Sequence, residues 1–158
     1  MRRAVFCIRA GLSETEYSMS DSLRFHFDVN GSSFTSAGQA SVQVKKNLRE
    51  LGIPADAIRR VSIAMYEGEI NMVIHAHGGE ADVIVYEDKI EIILNDRGPG
   101  IPNIELAMKE GYSTAPDNIR SLGFGAGMGL PNMKRYTDEM KIETELGKGT
   151  CITMAVKF

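Results

Sequence analysis

Three polar residues, Glu67, Asn71 and His75, recur at intervals of four in a stretch with helical periodicity. Each step of four turns a side chain by only ~40° around a helix axis, so the three share a face. A carboxylate one turn from a carboxamide can divide the work of a reaction. The acid orients or deprotonates a nucleophile, and the amide oxygen ligates a hard cation such as Mg²⁺. Alone, the same pattern also describes a solvated helix face. Glu69 falls on another side and is expected at the surface. His75 and His77 stand two apart, which points them away from each other and makes a poor metal pair.

Two further stretches offer chemistry. Asn95-Asp96-Arg97-Gly98-Pro99-Gly100 follows a strand-like run, so Asp96 becomes a fixed acceptor beside backbone that a ligand can approach closely. An amino-bearing heterocycle could dock there, although an ordinary Asp-Gly turn has the same look. Gly123-Phe124-Gly125-Ala126-Gly127-Met128-Gly129-Leu130 places glycine at every second position just before a helix. Small residues and free N–H groups at a helix start suit phosphate oxygens. The segment is neither a Rossmann turn, lacking a preceding strand, nor a Walker loop, and Gly147-Lys148-Gly149-Thr150 has the wrong spacing for one.

The elements that position these stretches follow from periodicity. Leu23, Phe25, Phe27 and Val29 alternate as a strand. A helix is expected over residues 35–51 and a second over 55–76, with Ile58, Val61, Met65 and Met72 as its apolar stripe and Gly78-Gly79 ending it. Residues 82–86 and 90–94 read as a hairpin. A short helix at 104–109, a long irregular stretch at 111–129, a helix at 130–138 and strands at 141–145 and 151–156 complete the order. This succession predicts an α+β two-layer sandwich with helices on one face of the sheet.

At 158 residues the chain suits one domain with one core, and 43% hydrophobic with 25% charged residues argues against disorder. Eighteen basic against 21 acidic residues, scattered rather than striped, make nucleic acid a poor partner. Two cysteines, Cys7 and Cys151, give no disulfide framework or zinc spacing and fit a reducing cytoplasm. No apolar run approaches the ~20 residues of a membrane-spanning helix. Arg9 interrupts the short apolar run after Arg2 and Arg3, so a secretory signal is not expected. Residues 1–18 are expected to be a tail outside the fold, with residues 19–158 as a single domain.

The motifs in their order, Glu-x-x-x-Asn, Asp-x-Gly-x-Gly, Gly-x-Gly-x-Gly and Gly-Thr, resemble the GHKL (histidine-kinase-like) ATPase superfamily over residues 21–158. Within it the chain looks most like the small bacterial serine/threonine kinases that regulate sigma factors, of the anti-sigma and stressosome switch types. The resemblance implies the Bergerat ATP-binding fold, with a mixed, mostly antiparallel sheet. It implies ATP and Mg²⁺ as cofactors, Asn71 as metal ligand and Glu67 as base toward an acceptor serine. Asp96 would bond the adenine amino group, with Gly98 and Gly100 in its turn and Thr150 supporting the base. Gly125, Gly127, Gly129 and Leu130 would hold the phosphates beneath a mobile lid of residues 111–124. The implied partners are proteins: a STAS-type antagonist, a sigma factor or a phosphatase, with a homodimer through the exposed sheet. A nucleotide-gated binding protein without catalysis is the competing reading. The catalytic half of a histidine kinase fits less well, since none of the histidines is a convincing phosphoacceptor. Gly68, within the catalytic helix, departs from the expected helix former and costs ~1 kcal/mol against Ala unless close packing needs it.

Overall fold

The computed structural model describes residues 22–32 and 34–158. The expected tail and the proposed start at Met19 lie outside the described residues. β1 (Leu23–Asn30) leads through a 3₁₀ turn at Phe34–Ser36 into α1 (Gln39–Glu50) and α2 (Ala55–Ala76). The hairpin β2 (Gly78–Val85) and β3 (Lys89–Asp96) follows, then α3 (Ile104–Ala107), α4 (Asp117–Arg120) and α5 (Gly129–Tyr136). The hairpin β4 (Glu139–Glu145) and β5 (Gly149–Lys157) closes the chain.

The five strands form one sheet in the order β1-β2-β3-β5-β4. All four pairings are antiparallel, so the described sheet carries no parallel component. Alternation decides which side is covered. Ala81, Val83, Ile90, Ile92, Leu94, Ile152, Met154 and Val156 point into the core against α1, α2 and α5. Arg24, Asp82, Glu91 and Thr153 occupy the opposite face, on which no described helix packs. The expected two-layer sandwich is therefore present.

Helix α2 has the limits its periodicity predicts, yet its end differs from expectation. His77, at φ 57°, makes the left-handed cap and donates its N–H to Met72 O, while Gly78 and Gly79 already belong to β2. The reason is β1: Asn30 and Val29 pair with Gly78 and Gly79, and a Cβ on Gly78 would overlap the Val29 carbonyl. The penalty at Gly68 also has an explanation. A Cβ there would overlap the Leu94 side chain, so glycine lets α2 lie directly on β3.

The main correction concerns Glu69. It is not at the surface but 2% exposed, and it starts α1. Its Oε1 accepts the N–H groups of Gly38 (3.2 Å) and Ala40 (3.0 Å), and its Oε2 accepts that of Ser41 (2.7 Å). These N–H groups at the helix start have no intrahelical partner, and the carboxylate also faces the positive end of the helix dipole. Gly38, at φ +93°, turns the chain into this carboxylate, which is why α1 begins at Gln39 rather than near residue 35. A further difference lies at 111–129, where the expected irregular stretch contains the short helix α4. Replacing Glu69 with Ala strands three buried donors and should lower unfolding free energy by about 3 kcal/mol, whereas Glu69→Gln, which retains an acceptor, should lose about 1 kcal/mol. Urea denaturation of both variants checks the size and the order.

Candidate functional site

Glu67, Asn71 and His75 line one cavity of about 560 Å³ at the C-terminal half of α2. That volume suits a small organic ligand. Glu67 is fixed at one oxygen: Asn132 Nδ2 on α5 donates to its Oε1 at 2.7 Å. Asn71 lies against the start of α5, where a Cβ on Gly129 would come within 3.0 Å of both terminal atoms of its carboxamide. A side chain at residue 129 would therefore make the Asn71 carboxamide give by a few tenths of an ångström.

The opposite wall is the turn after β3. Asp96 Oδ1 accepts two backbone N–H groups, from Gly98 at 2.8 Å and from Thr150 at 3.2 Å. No described residue donates to Oδ2, which leaves that lone-pair set for a ligand. Thr150 is 7% exposed, and its hydroxyl lies 2.9 Å from that of Thr144, which also accepts the Ile101 N–H at 2.9 Å. Gly100 needs its positive φ of 78°, because the turn passes so close to β4 that a Cβ would stand 2.7 Å from Glu145 O. Gly147 closes the contact by donating its N–H to Pro99 O.

The third wall is the glycine-rich loop. Gly111 donates its N–H to Gly127 O at 3.0 Å, joining the two ends of the segment between them. Gly127 takes φ +76°, where any Cβ would press on the backbone of Gly111 and Tyr112. Phe124 stacks on Phe34 with ring centroids 5.8 Å apart, which seats the loop against the lead-in to α1. Leu130 is buried in the core and also lines the cavity. Pro131, in the first turn of α5, lacks an N–H where none would have an intrahelical partner. No Lys or Arg is among the described residues that line the cavity.

The structure thus gathers Glu67, Asn71, Asp96, Gly100, Gly125, Gly127, Gly129, Leu130 and Thr150 around one space. Gly98 stands behind it. Its N–H holds Asp96, and a Cβ would crowd Ala76 at the end of α2. His75 and His77 have separate positions, one on the cavity wall and one at the helix cap. Sequence reasoning did not identify Asn132 or Thr144 as site residues, because each acts through a contact with another element. Among the described residues no cluster of three His, Cys, Asp or Glu side chains could hold a metal ion.

Residues 32–156 match the model of the histidine kinase-like ATPase domain. The chain belongs to that family. As a histidine kinase-like ATPase domain it is 38% identical over 124 residues to an anti-sigma F factor of Clostridium acetobutylicum, covering 75% of this chain and 83% of that protein. It is 33% identical over 124 residues to the serine/threonine-protein kinase RsbT of Bacillus subtilis, covering 75% and 86%. A Mycobacterium tuberculosis structure of RsbU and RsbW domains superposes with a TM-score of 0.56 at 16% identity. That match covers 85% of this chain and 32% of the other, so the domain spans about a third of the longer protein, and the likeness carries the fold alone. The expected kinship therefore holds for the family, and ATP is the ligand its ATPase domain implies.

Two histidines of this ATPase domain respond to pH in opposite senses. Burial on the cavity wall pushes the His75 imidazole below its ordinary value of 6.5, against the pull of the Asp96 charge. The hydrogen bond to Asp82 on the open sheet face raises His26, aided by that carboxylate's charge and opposed by burial. As pH falls below about 6.5 the unfolded chain protonates His75 before the folded one, so His75 erodes stability toward acid. The His26 contribution is present in full below that pH and is lost as pH rises through its elevated folded value. NMR titration should find His26 above and His75 below the ordinary value, and His75→Gln should reduce the acid-side loss of stability.

Proposed function

We propose that this domain is an ATP-dependent protein serine/threonine kinase that regulates a sigma factor or a stress-response partner by phosphorylating a STAS-type antagonist. The observation that carries the reading is the shared cavity. Glu67 and Asn71 face it from one helix, and Asp96 faces it with one carboxylate oxygen bound to backbone and the other free. The named relatives, an anti-sigma factor and a serine/threonine kinase, support the same assignment. An acid held beside the metal-ligand position favours transfer over gating alone, since a gate has no use for a base.

In this reading the free Asp96 Oδ2 accepts the adenine amino group, while the N–H groups of Thr150 and Gly98 keep the carboxylate in place. Gly100 lets the base approach the backbone. The N–H groups at the start of α5 and the bare backbone of Gly125, Gly127 and Gly129 receive the phosphates. Asn71 fits Mg²⁺ that arrives with the nucleotide, because such an ion takes one or two protein oxygens and completes its shell with water and phosphate. Bound Mg²⁺ supplies charge neutralisation, which matters in a cavity whose described lining has no Lys or Arg. Glu67 removes the serine proton as the hydroxyl oxygen bonds to the γ-phosphorus and the bond to ADP breaks. Residues 111–124, seated by Phe124 on Phe34, act as the lid that keeps water out.

Protein partners follow from this activity, and the sheet face opposite the described helices is the proposed homodimer surface. A cytoplasmic setting fits the two cysteines, and no described helix is long and apolar enough to cross a membrane. A general base contributes roughly 10²- to 10⁴-fold in rate, so Glu67→Gln should bind ATP normally while losing transfer by about that factor. Asn71→Ala should instead weaken magnesium-dependent ATP binding. Phosphoserine on candidate antagonists, measured with ATP beside each variant, checks both, and undiminished transfer by Glu67→Gln would refute the role of the acid.

A further inference from the structure

Helix α5 lies antiparallel along α2 and meets its functional residues in turn. Gly129 abuts Asn71, Asn132 bonds Glu67, and one step further Tyr136 O accepts Arg60 Nε–H at 3.2 Å. At the far end, Arg60 also pairs with Asp138 at 2.8 Å, and the Arg59 guanidinium lies 5.4 Å from the Tyr136 ring centroid. The register of the two helices is thus fixed on both sides of the Asn132–Glu67 contact.

We propose that Asn132 is a positioning residue for Glu67, orienting the carboxylate through its Nδ2–H···Oε1 bond so that Oε2 faces the acceptor hydroxyl. The proposal rests on the reading of Glu67 as the base and extends it to a residue on a different helix. The chemistry is directional. A carboxyl oxygen accepts and an amide NH₂ donates, so this contact fixes Oε1 and thereby sets the direction of Oε2. No described residue donates to Oε2, so that oxygen remains for the reaction. Once Oε2 carries the proton, Oε1 is still an acceptor, and the same bond survives the transfer. Asn132 is one helical turn from Gly129, so the helix that opens at the phosphate end of the cavity also aims the base. Small errors of aim at a reacting centre can lower rates roughly 10²-fold.

The test uses the full chain with saturating ATP and Mg²⁺ and follows ADP release across pH, with water in place of the acceptor hydroxyl. Asn132→Ala removes the donor and should lower kcat roughly 10- to 100-fold with KM for ATP unchanged. Asn132→Asp keeps the shape but sets a second carboxylate against the first. It should lower kcat and also move the optimum of turnover to higher pH, because two carboxyl groups in contact do not both ionise readily. A bond that merely joined two helices would change stability and leave the kcat of Asn132→Ala at the wild-type value. Wild-type kcat and profile in Asn132→Asp would overturn the inference. So would Asn132 side-chain amide resonances that stay in place in Glu67→Ala, a readout that needs no turnover. If wild type releases ADP no faster than Glu67→Gln, the base assignment itself falls, and the inference with it.

Discussion

The buried carboxylate of Glu69 joins the two parts of the helical layer on which the cavity depends. It sits on α2 between Glu67 and Asn71 and serves as the missing acceptor for the first N–H groups of α1. A carboxylate this deep is destabilising unless its lone pairs are occupied. Three backbone donors take them up, and the positive end of the helix dipole faces the charge. Any slide of α2 along α1 breaks those bonds, so the turn that carries the functional residues is held in register from behind. Close contact with the sheet at Gly68 and with α5 at Gly129 fixes the same turn from two other directions.

The two acids that face the cavity are built on one plan. Asp96 uses Oδ1 for the backbone of Gly98 and Thr150, and Glu67 uses Oε1 for Asn132. In both cases one oxygen is fixed by protein and the other is left for a ligand. Fixing one oxygen sets the direction of the second without filling it. The supports differ in kind, since Asp96 rests on a turn and a strand end, whereas Glu67 rests on the side chain of a neighbouring helix. Among the described residues no buried side-chain nitrogen or oxygen lacks a partner. Polar atoms left open at the cavity are therefore open to ligand, not stranded in the core.

Much of this was legible because period and punctuation agree with tertiary packing. Helix α2 has the limits read from its apolar stripe, and the hairpin of β2 and β3 forms around the two alternating runs, with β2 starting at Gly78 rather than at the expected residue 82. Glu69 is polar, but it lies four residues after Met65 and three before Met72, within the very stripe that faces the core. Burial follows the register, and the charge is then answered by α1. The start of α1 was obscured for the same cause, since the cap comes from residue 69 and not from a neighbour in sequence. Asn132, Thr144 and the Leu94 contact with Gly68 are relations between distant segments, which periodicity does not encode. Gly98, expected in the turn beside the ligand, donates its N–H to Asp96 and is not among the residues lining the cavity.

The central claim is that the cavity binds a magnesium-bound adenine nucleotide through the free oxygen of Asp96. Calorimetric titration of ATP with Mg²⁺ into wild type and Asp96→Asn tests it most directly. The account predicts saturable heat from wild type and affinity roughly 10- to 100-fold weaker in the variant, the loss expected for a hydrogen bond to a charged group. Absence of heat from wild type, or equal affinity in both proteins, would contradict it.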